Sequence, residues 1–246
     1  MYQNSYLGYG LKQARLAVNS ISAFAHTLAH PETITQGDDR LGKYLMPWGA
    51  MNPNNTRIPS PCYTEGMSKE VSILQPEEKS EAKVTFVGTP GGFPACRRLV
   101  EVMMDKDAVC KQGPCSFAGV YQPSLKETFN QSAIIALSYF YDRIAPLGLG
   151  PTFTIGQLRR LAERVCASPS EWRKPGKPAF PPGAFQELEK RSDYCLDLTY
   201  MYVLFNLGYE LGEARYVTLA KTIGNFELGW ALGAQLAVLQ QGAICK

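Results

Sequence analysis

No stretch of this 246-residue chain is apolar enough to cross a membrane as a helix. A spanning helix needs about 20 mostly apolar residues. The most apolar run, residues 228–239, offers twelve, with Glu227 before it and Gln235 inside it. The start, MYQNSYLGYG, has no basic segment leading into an apolar one and does not read as a signal peptide. Long basic runs are missing too. The net charge is +3 and the lysines and arginines are scattered, which argues against nucleic-acid binding. Histidine is scarce. His26 and His30 stand at helical i, i+4 spacing, far from CKQGPC, the one close cysteine pair. Zinc sites use tighter pairs with histidine at set spacing, so both histidines read as solvated or helix-end residues.

What is present is an ordinary globular balance: 45% hydrophobic and 19% charged residues, enough for a core of normal size. Seven cysteines stand out. Without zinc spacing they read as disulfides formed in an oxidising compartment. The sequons NNT at Asn54 and NQS at Asn130 agree with that compartment. An oxidising compartment without a targeting segment leads to the expectation of an upstream portion.

Periodicity organises the chain. LKQARLAVNSISAFAHTLAH repeats apolar residues at i+3 and i+4 steps and predicts a helix that Pro31 stops. Residues 31–67 read as a loop. KEVSIL and AKVTFVG read as a hairpin. PACRRLVEVMM reads as a helix and DAVCKQGPCSFAGVYQPSL as a turn-rich loop. IIALSYFYDRI, rich in β-branched and aromatic residues, reads as a buried strand. TIGQLRRLAERVC opens on a Thr-x-x-Gln capping box at Thr154 and Gln157 and predicts a helix. SDYCLDLTYMYVLFNLGYEL reads as an apolar helix ended by Gly208, and RYVTLAKTIG as a strand. A closing helix is expected from an N-cap at Asn225 to Gly242. Its small residues suit a buried packing helix, and Trp230 in its first turn fits either a core or a nucleotide site.

Several stretches, taken together, resemble one family. YQNSYLGYGLKQAR, GVYQPSL, ALSYFYDR, YCLDLTYMYVL and ELGWALGA occur in the order found in the nucleoside diphosphatase and apyrase family, nearest to its fungal Golgi guanosine diphosphatase branch. The resemblance implies an α/β, actin-like (ribonuclease H-like) two-lobed nucleotide phosphatase fold. It makes residues 1–223 the remainder of the C-terminal lobe, on the nucleobase-binding side. Residues 224–246 become a closing helix that packs back toward the N-terminal lobe. It implies a hydrolase that converts GDP or UDP to the monophosphate, with Ca²⁺ or Mg²⁺ on the nucleotide's phosphates and a glutamate base. The implied place is the Golgi or another secretory lumen, with membrane attachment only through an upstream anchor, as in a type II membrane protein.

Neither the D-x-G-S-type nor the D-L-G-G-type phosphate loop of that family occurs here, and GTPGGF around Gly91 reads as a plain turn. The resemblance places Met1 just after the second loop. No catalytic residue or metal ligand therefore carries over, and the chain alone is expected to be inactive. A noncatalytic, disulfide-stabilised nucleotide-binding or interaction protein is the alternative reading.

The resemblance does carry over a nucleobase site. It implies an aromatic at Tyr141, with Tyr139 as runner-up, and a cationic residue at Lys190 or Arg191, accompanied by Tyr194 and Trp230. It also implies the disulfides Cys62–Cys96, Cys110–Cys115 and Cys166–Cys195, leaving Cys245 over.

Overall fold

Helix α8, Tyr194–Val203, is buried at every one of its ten positions and forms the axis of the fold. A helix apolar on all sides must be covered on all sides. In this computed structural model, which describes residues 6, 8–29, 57–74, 81–129, 132–175, 179–223 and 226–227, four helices cover it. They are α1 (Leu11–Ala29), α2 (Gly92–Met104), α4 (Tyr139–Ile144) and α5 (Ile155–Val165); α3 (Leu125–Thr128) and α6 (Pro169–Trp172) are single turns. The chain is α/β: the helices are joined by small sheets.

The first sheet has the order β1-β3-β2, with β1 at Arg57–Ser60, β2 at Ser68–Leu74 and β3 at Glu81–Gly88. The β2–β3 pair is antiparallel, the hairpin expected from KEVSIL and AKVTFVG. Strand β1 corrects the reading of residues 31–67 as loop. Pro59 lowers strand expectation, but among the described residues β1 pairs, in parallel, with β3 alone, and proline is tolerated at such an edge position. The second sheet has the order β4-β6-β5, built from Ile135–Ala136, Tyr216–Leu219 and Thr152–Thr154. β7 (Thr222–Ile223) pairs with β8 (Phe226–Glu227). Phe226 and Glu227 are therefore extended where the sequence suggested the first turn of the closing helix. Asn225, Trp230 and the remainder of that helix lie outside the described residues, as do Asn54, Asn130 and Cys245.

IIALSYFYDRI is the main correction. Only Ile135–Ala136 is strand, and Tyr139–Ile144 is helix. A short apolar run does not distinguish a buried strand from a buried helix. Here Ser138, at φ 58, turns the chain out of β4. The i, i+4 pair Phe140 and Ile144 then faces the core.

α5 begins where the capping box placed it. The Thr154 side chain accepts from the Gln157 backbone N–H at 3.2 Å, and the Gln157 side chain accepts from the Thr154 N–H at 2.7 Å. Leu158, Leu161, Ala162 and Val165 make its buried face. α8 ends in a π turn, Leu204–Gly208, consistent with the stop expected at Gly208.

Three disulfides tie these elements: Cys62–Cys96, Cys110–Cys115 and Cys166–Cys195. They are the pairs the resemblance implies. Cys62–Cys96 joins the first sheet's loop to α2, and Cys166–Cys195 joins the end of α5 to the start of α8. With separations of 34 and 29 residues, each removes chain entropy from the unfolded state worth about 3.5–4 kcal/mol.

Candidate functional site

α4 runs directly into a 3-10 turn, Ala145–Leu147, that ends at Gly148. Gly148 has φ +82, and a Cβ there would meet Pro181 Cδ at 2.8 Å. Only glycine meets both demands. That close approach brings the segment leading into α7, Ala184–Lys190, against the end of α4. Between the two lies a cleft of about 640 Å³. Tyr141, Asp142, Arg143, Ala145 and Pro146 line one wall; Glu187 and Arg191 line the other.

Of the residues singled out from the sequence, Tyr141 and Arg191 meet in this cleft. Tyr141 is half-buried and lines the cleft. Lys190 is exposed at the end of α7 and is not part of the lining. Tyr139 turns the other way. Its ring stacks on Phe140 at 4.4 Å, and burial pushes its hydroxyl far above the ordinary phenol range, with a hydrogen bond to Tyr200 opposing the push. Tyr139 is a packing residue of the core rather than a cleft residue. Tyr194 is buried, and the Arg143 guanidinium lies over its ring, 5.6 Å from the centroid, within cation–π range. Burial raises the Tyr194 hydroxyl, which also feels the charges of Arg143, Glu187 and Arg191, so it underlies the cleft.

The cleft wall is anchored by a buried ionic cluster that the sequence reading did not single out. Asp197, with a side-chain exposure of 0%, accepts from Arg15 Nε at 2.6 Å, Arg15 Nη2 at 2.5 Å and Arg143 Nε at 2.8 Å. Arg15 also reaches Asp193 Oδ2 at 3.3 Å, and Lys69 Nζ donates to that oxygen at 2.5 Å. Thus α1, β2, α4 and α8 meet at two carboxylates and three cations.

Burial pushes the Asp197 carboxyl above the ordinary range, and the two arginines oppose that push. Burial also pulls on Arg15, but its hydrogen bonds and charge contacts with Asp197 outweigh the pull and hold it above its ordinary value. At Asp193, the Lys69 hydrogen bond and the Arg15 charge outweigh burial and hold the carboxyl below the usual range. A signal for this cluster does exist in the sequence. Asp197 is a lone carboxylate within YCLDLTYMYVL, and a buried charge demands a partner.

Among the described residues no three His, Cys, Asp or Glu side chains converge into a set that could hold a metal ion. The cleft itself offers aromatic, cationic and carboxylate side chains: Tyr141, Arg143 and Arg191, and Asp142 and Glu187. Also among the described residues, no helix is long and apolar enough to cross a membrane.

The GDA1/CD39 (nucleoside phosphatase) family profile matches residues 1–244. The chain is 40% identical to a probable guanosine-diphosphatase of Aspergillus fumigatus, over 100% of this chain and 46% of that protein. It is 39% identical to a guanosine-diphosphatase of Schizosaccharomyces pombe, over 98% of this chain and 40% of that protein. Similarity extends to human ectonucleoside triphosphate diphosphohydrolase 3, at 28% identity over 77% of this chain and 36% of that protein. The chain thus spans under half the length of these relatives. The family is one of divalent-cation-dependent phosphatases with an actin-like fold. With the match running through the cleft, the ionic cluster and all three disulfides, the chain belongs to the GDA1/CD39 nucleoside phosphatase family.

Proposed function

We propose that this chain is the nucleobase-holding part of a nucleoside diphosphatase that hydrolyses GDP or UDP to the monophosphate and phosphate. The observation that carries the reading is the cleft itself, lined by Tyr141 from α4 and by Arg191 at the C-cap of α7. A base stacked on Tyr141 with a guanidinium nearby gains about 0.5–2 kcal/mol per contact. The ionic cluster keeps Arg143 and its helix in place under that base.

Holding the base at a fixed position orients the phosphates toward the site of hydrolysis, and positioning supplies much of the catalysis in phosphoryl transfer. The divalent ion, Ca²⁺ or Mg²⁺, would be ligated through those phosphates and would neutralise the charge that develops on them. In this reading the chain forms the C-terminal lobe of a two-lobed enzyme, and residues 224–246 pack toward the other lobe. Trp230 belongs to the base side, Asn54 and Asn130 carry glycans, and the enzyme works in the lumen of the Golgi or a neighbouring secretory compartment. The cysteine pairs support the oxidising setting.

The test is kinetic. In an enzyme that carries this chain together with both phosphate loops, Tyr141→Ala should raise KM for GDP about five- to thirtyfold, the loss of one stack worth roughly 1–2 kcal/mol. kcat should stay unchanged, because base stacking is equal in ground and transition states. A variant with normal KM and a lowered melting temperature would make Tyr141 a packing residue and overturn the site.

A further inference from the structure

The lining of the cleft contains more than an aromatic and a cation. Opposite Tyr141, on α7, sits Glu187, with a side-chain exposure of 36%. Its Oε2 lies 3.9 Å from Arg191 Nε, an electrostatic contact but beyond hydrogen-bonding distance. Among the described residues no hydrogen-bond donor occupies either of its oxygens. This separates it from Asp197, both of whose oxygens accept guanidinium N–H groups, and from Asp193, whose Oδ2 is held by Lys69 and Arg15.

We propose that Glu187 is a specificity-determining residue that accepts hydrogen bonds from the N1–H and the 2-amino group of guanine stacked on Tyr141. This rests on the reading of the cleft as the nucleobase site. A carboxylate only accepts, with two oxygens about as far apart as two adjacent N–H donors. Among the common bases only guanine offers two adjacent donors on its pairing edge. Uracil presents one N–H between two carbonyl oxygens, which a carboxylate repels. Adenine and cytosine each present a ring nitrogen lone pair beside a single amino group.

Geometry favours Glu187 over Asp142, the other carboxylate of the lining. Asp142 follows Tyr141 on the same helix, so its side chain is rotated about 100° from the ring that holds the base. Glu187 comes from the other wall of the cleft, on α7, across from the helix that carries Tyr141. Arg191, one turn further on, stands near enough to hold Glu187 in place without occupying its oxygens.

The proposal orders three ligands. GDP makes both hydrogen bonds. IDP lacks the 2-amino group and makes one. UDP makes none without bringing a carbonyl oxygen against the carboxylate. The experiment measures dissociation constants of GDP, IDP and UDP for the 246-residue chain by ligand-observed NMR, which reads millimolar binding. The expected order is GDP tighter than IDP tighter than UDP, with about tenfold between GDP and IDP for a charge-assisted hydrogen bond.

Glu187→Gln, a change at a partly exposed position, should weaken GDP about tenfold, leave UDP unchanged or tighter, and leave the melting temperature as it was. Tyr141→Ala should weaken all three ligands alike. Equal affinities in the unaltered chain, or an unchanged GDP preference in Glu187→Gln, overturn the role of Glu187 while leaving the base site standing. If none of the three binds, or Tyr141→Ala changes nothing, the base site itself fails and the assignment goes with it. A preference for GDP that disappears in Asp142→Asn but persists in Glu187→Gln would move the role to the other wall and overturn the proposal as stated.

Discussion

Asp197→Ala is the sharpest perturbation of the fold that positions the cleft. The carboxylate is wholly buried and accepts three guanidinium N–H groups, two from Arg15 and one from Arg143. The side chains of those arginines are 25% and 14% exposed, so neither finds full hydration when its partner goes. Arg15 keeps Asp193 at 3.3 Å, which softens the loss on its side. Arg143 has no second carboxylate within salt-bridge distance among the described residues.

Removing one partner from a buried pair costs about 3–5 kcal/mol, because the remaining charge stays in place uncompensated. For a chain of this size each kcal/mol moves the melting temperature by about 2–4 °C, so the shift should be roughly 6–20 °C. The assay is thermal and urea denaturation of the oxidised chain, followed by circular dichroism. A loss under about 1 kcal/mol would place the cluster in the class of solvated surface pairs and refute the claim that it anchors the cleft wall. Asp197→Asn should fall between the two proteins, keeping the shape and one acceptor while removing the charge.

Other outcomes follow from the same geometry. Asp193 is held below the usual carboxylate range, so it contributes stability above its unfolded pKa that is lost as pH falls through its lower folded pKa; Asp193→Asn should flatten that acid limb in denaturation measured below about pH 4. Replacing Cys166 and Cys195 together by alanine should cost about 3–4 kcal/mol, whereas finding both alkylatable in the folded, unreduced protein would remove that bond from the account. Lys190→Ala should change nucleotide affinity far less than Tyr141→Ala, since Lys190 stands outside the lining. The 246-residue chain by itself should show no metal-dependent GDP hydrolysis, because its sequence contains neither phosphate loop.

How much of this was legible from the residues varies with the kind of signal. The start of α5 was, because Thr154 and Gln157 are a local device whose two hydrogen bonds close within one turn. The α1 helix and the β2–β3 hairpin were, because their periods differ and each runs long enough to repeat. Tyr139–Ile144 was not: six residues are too few for a period, and Ser138 takes a positive φ that a non-glycine residue seldom adopts. Strand β1 was hidden by Pro59, which an edge position tolerates.

The site divides in the same way. Resemblance singled out Tyr141 and Arg191, which the fold brings together, and also Tyr139, which the core absorbs. The two tyrosines stand two positions apart on α4, a rotation of about 200°, so they face nearly opposite ways. Arg143 and Glu187 escaped notice because a charged residue in sequence reads as solvated surface until its partners, 54 residues away for Arg143 and Asp197, are known.

The central claim is that a nucleobase lies on Tyr141 in the cleft between α4 and α7. Transferred nuclear Overhauser effects in a solution of the chain with GDP test it most directly. Cross-peaks from the guanine H8 and ribose H1′ to the ring protons of Tyr141, absent in Tyr141→Ala, are the predicted result. Cross-peaks to rings elsewhere in the chain, with none to Tyr141, would contradict it.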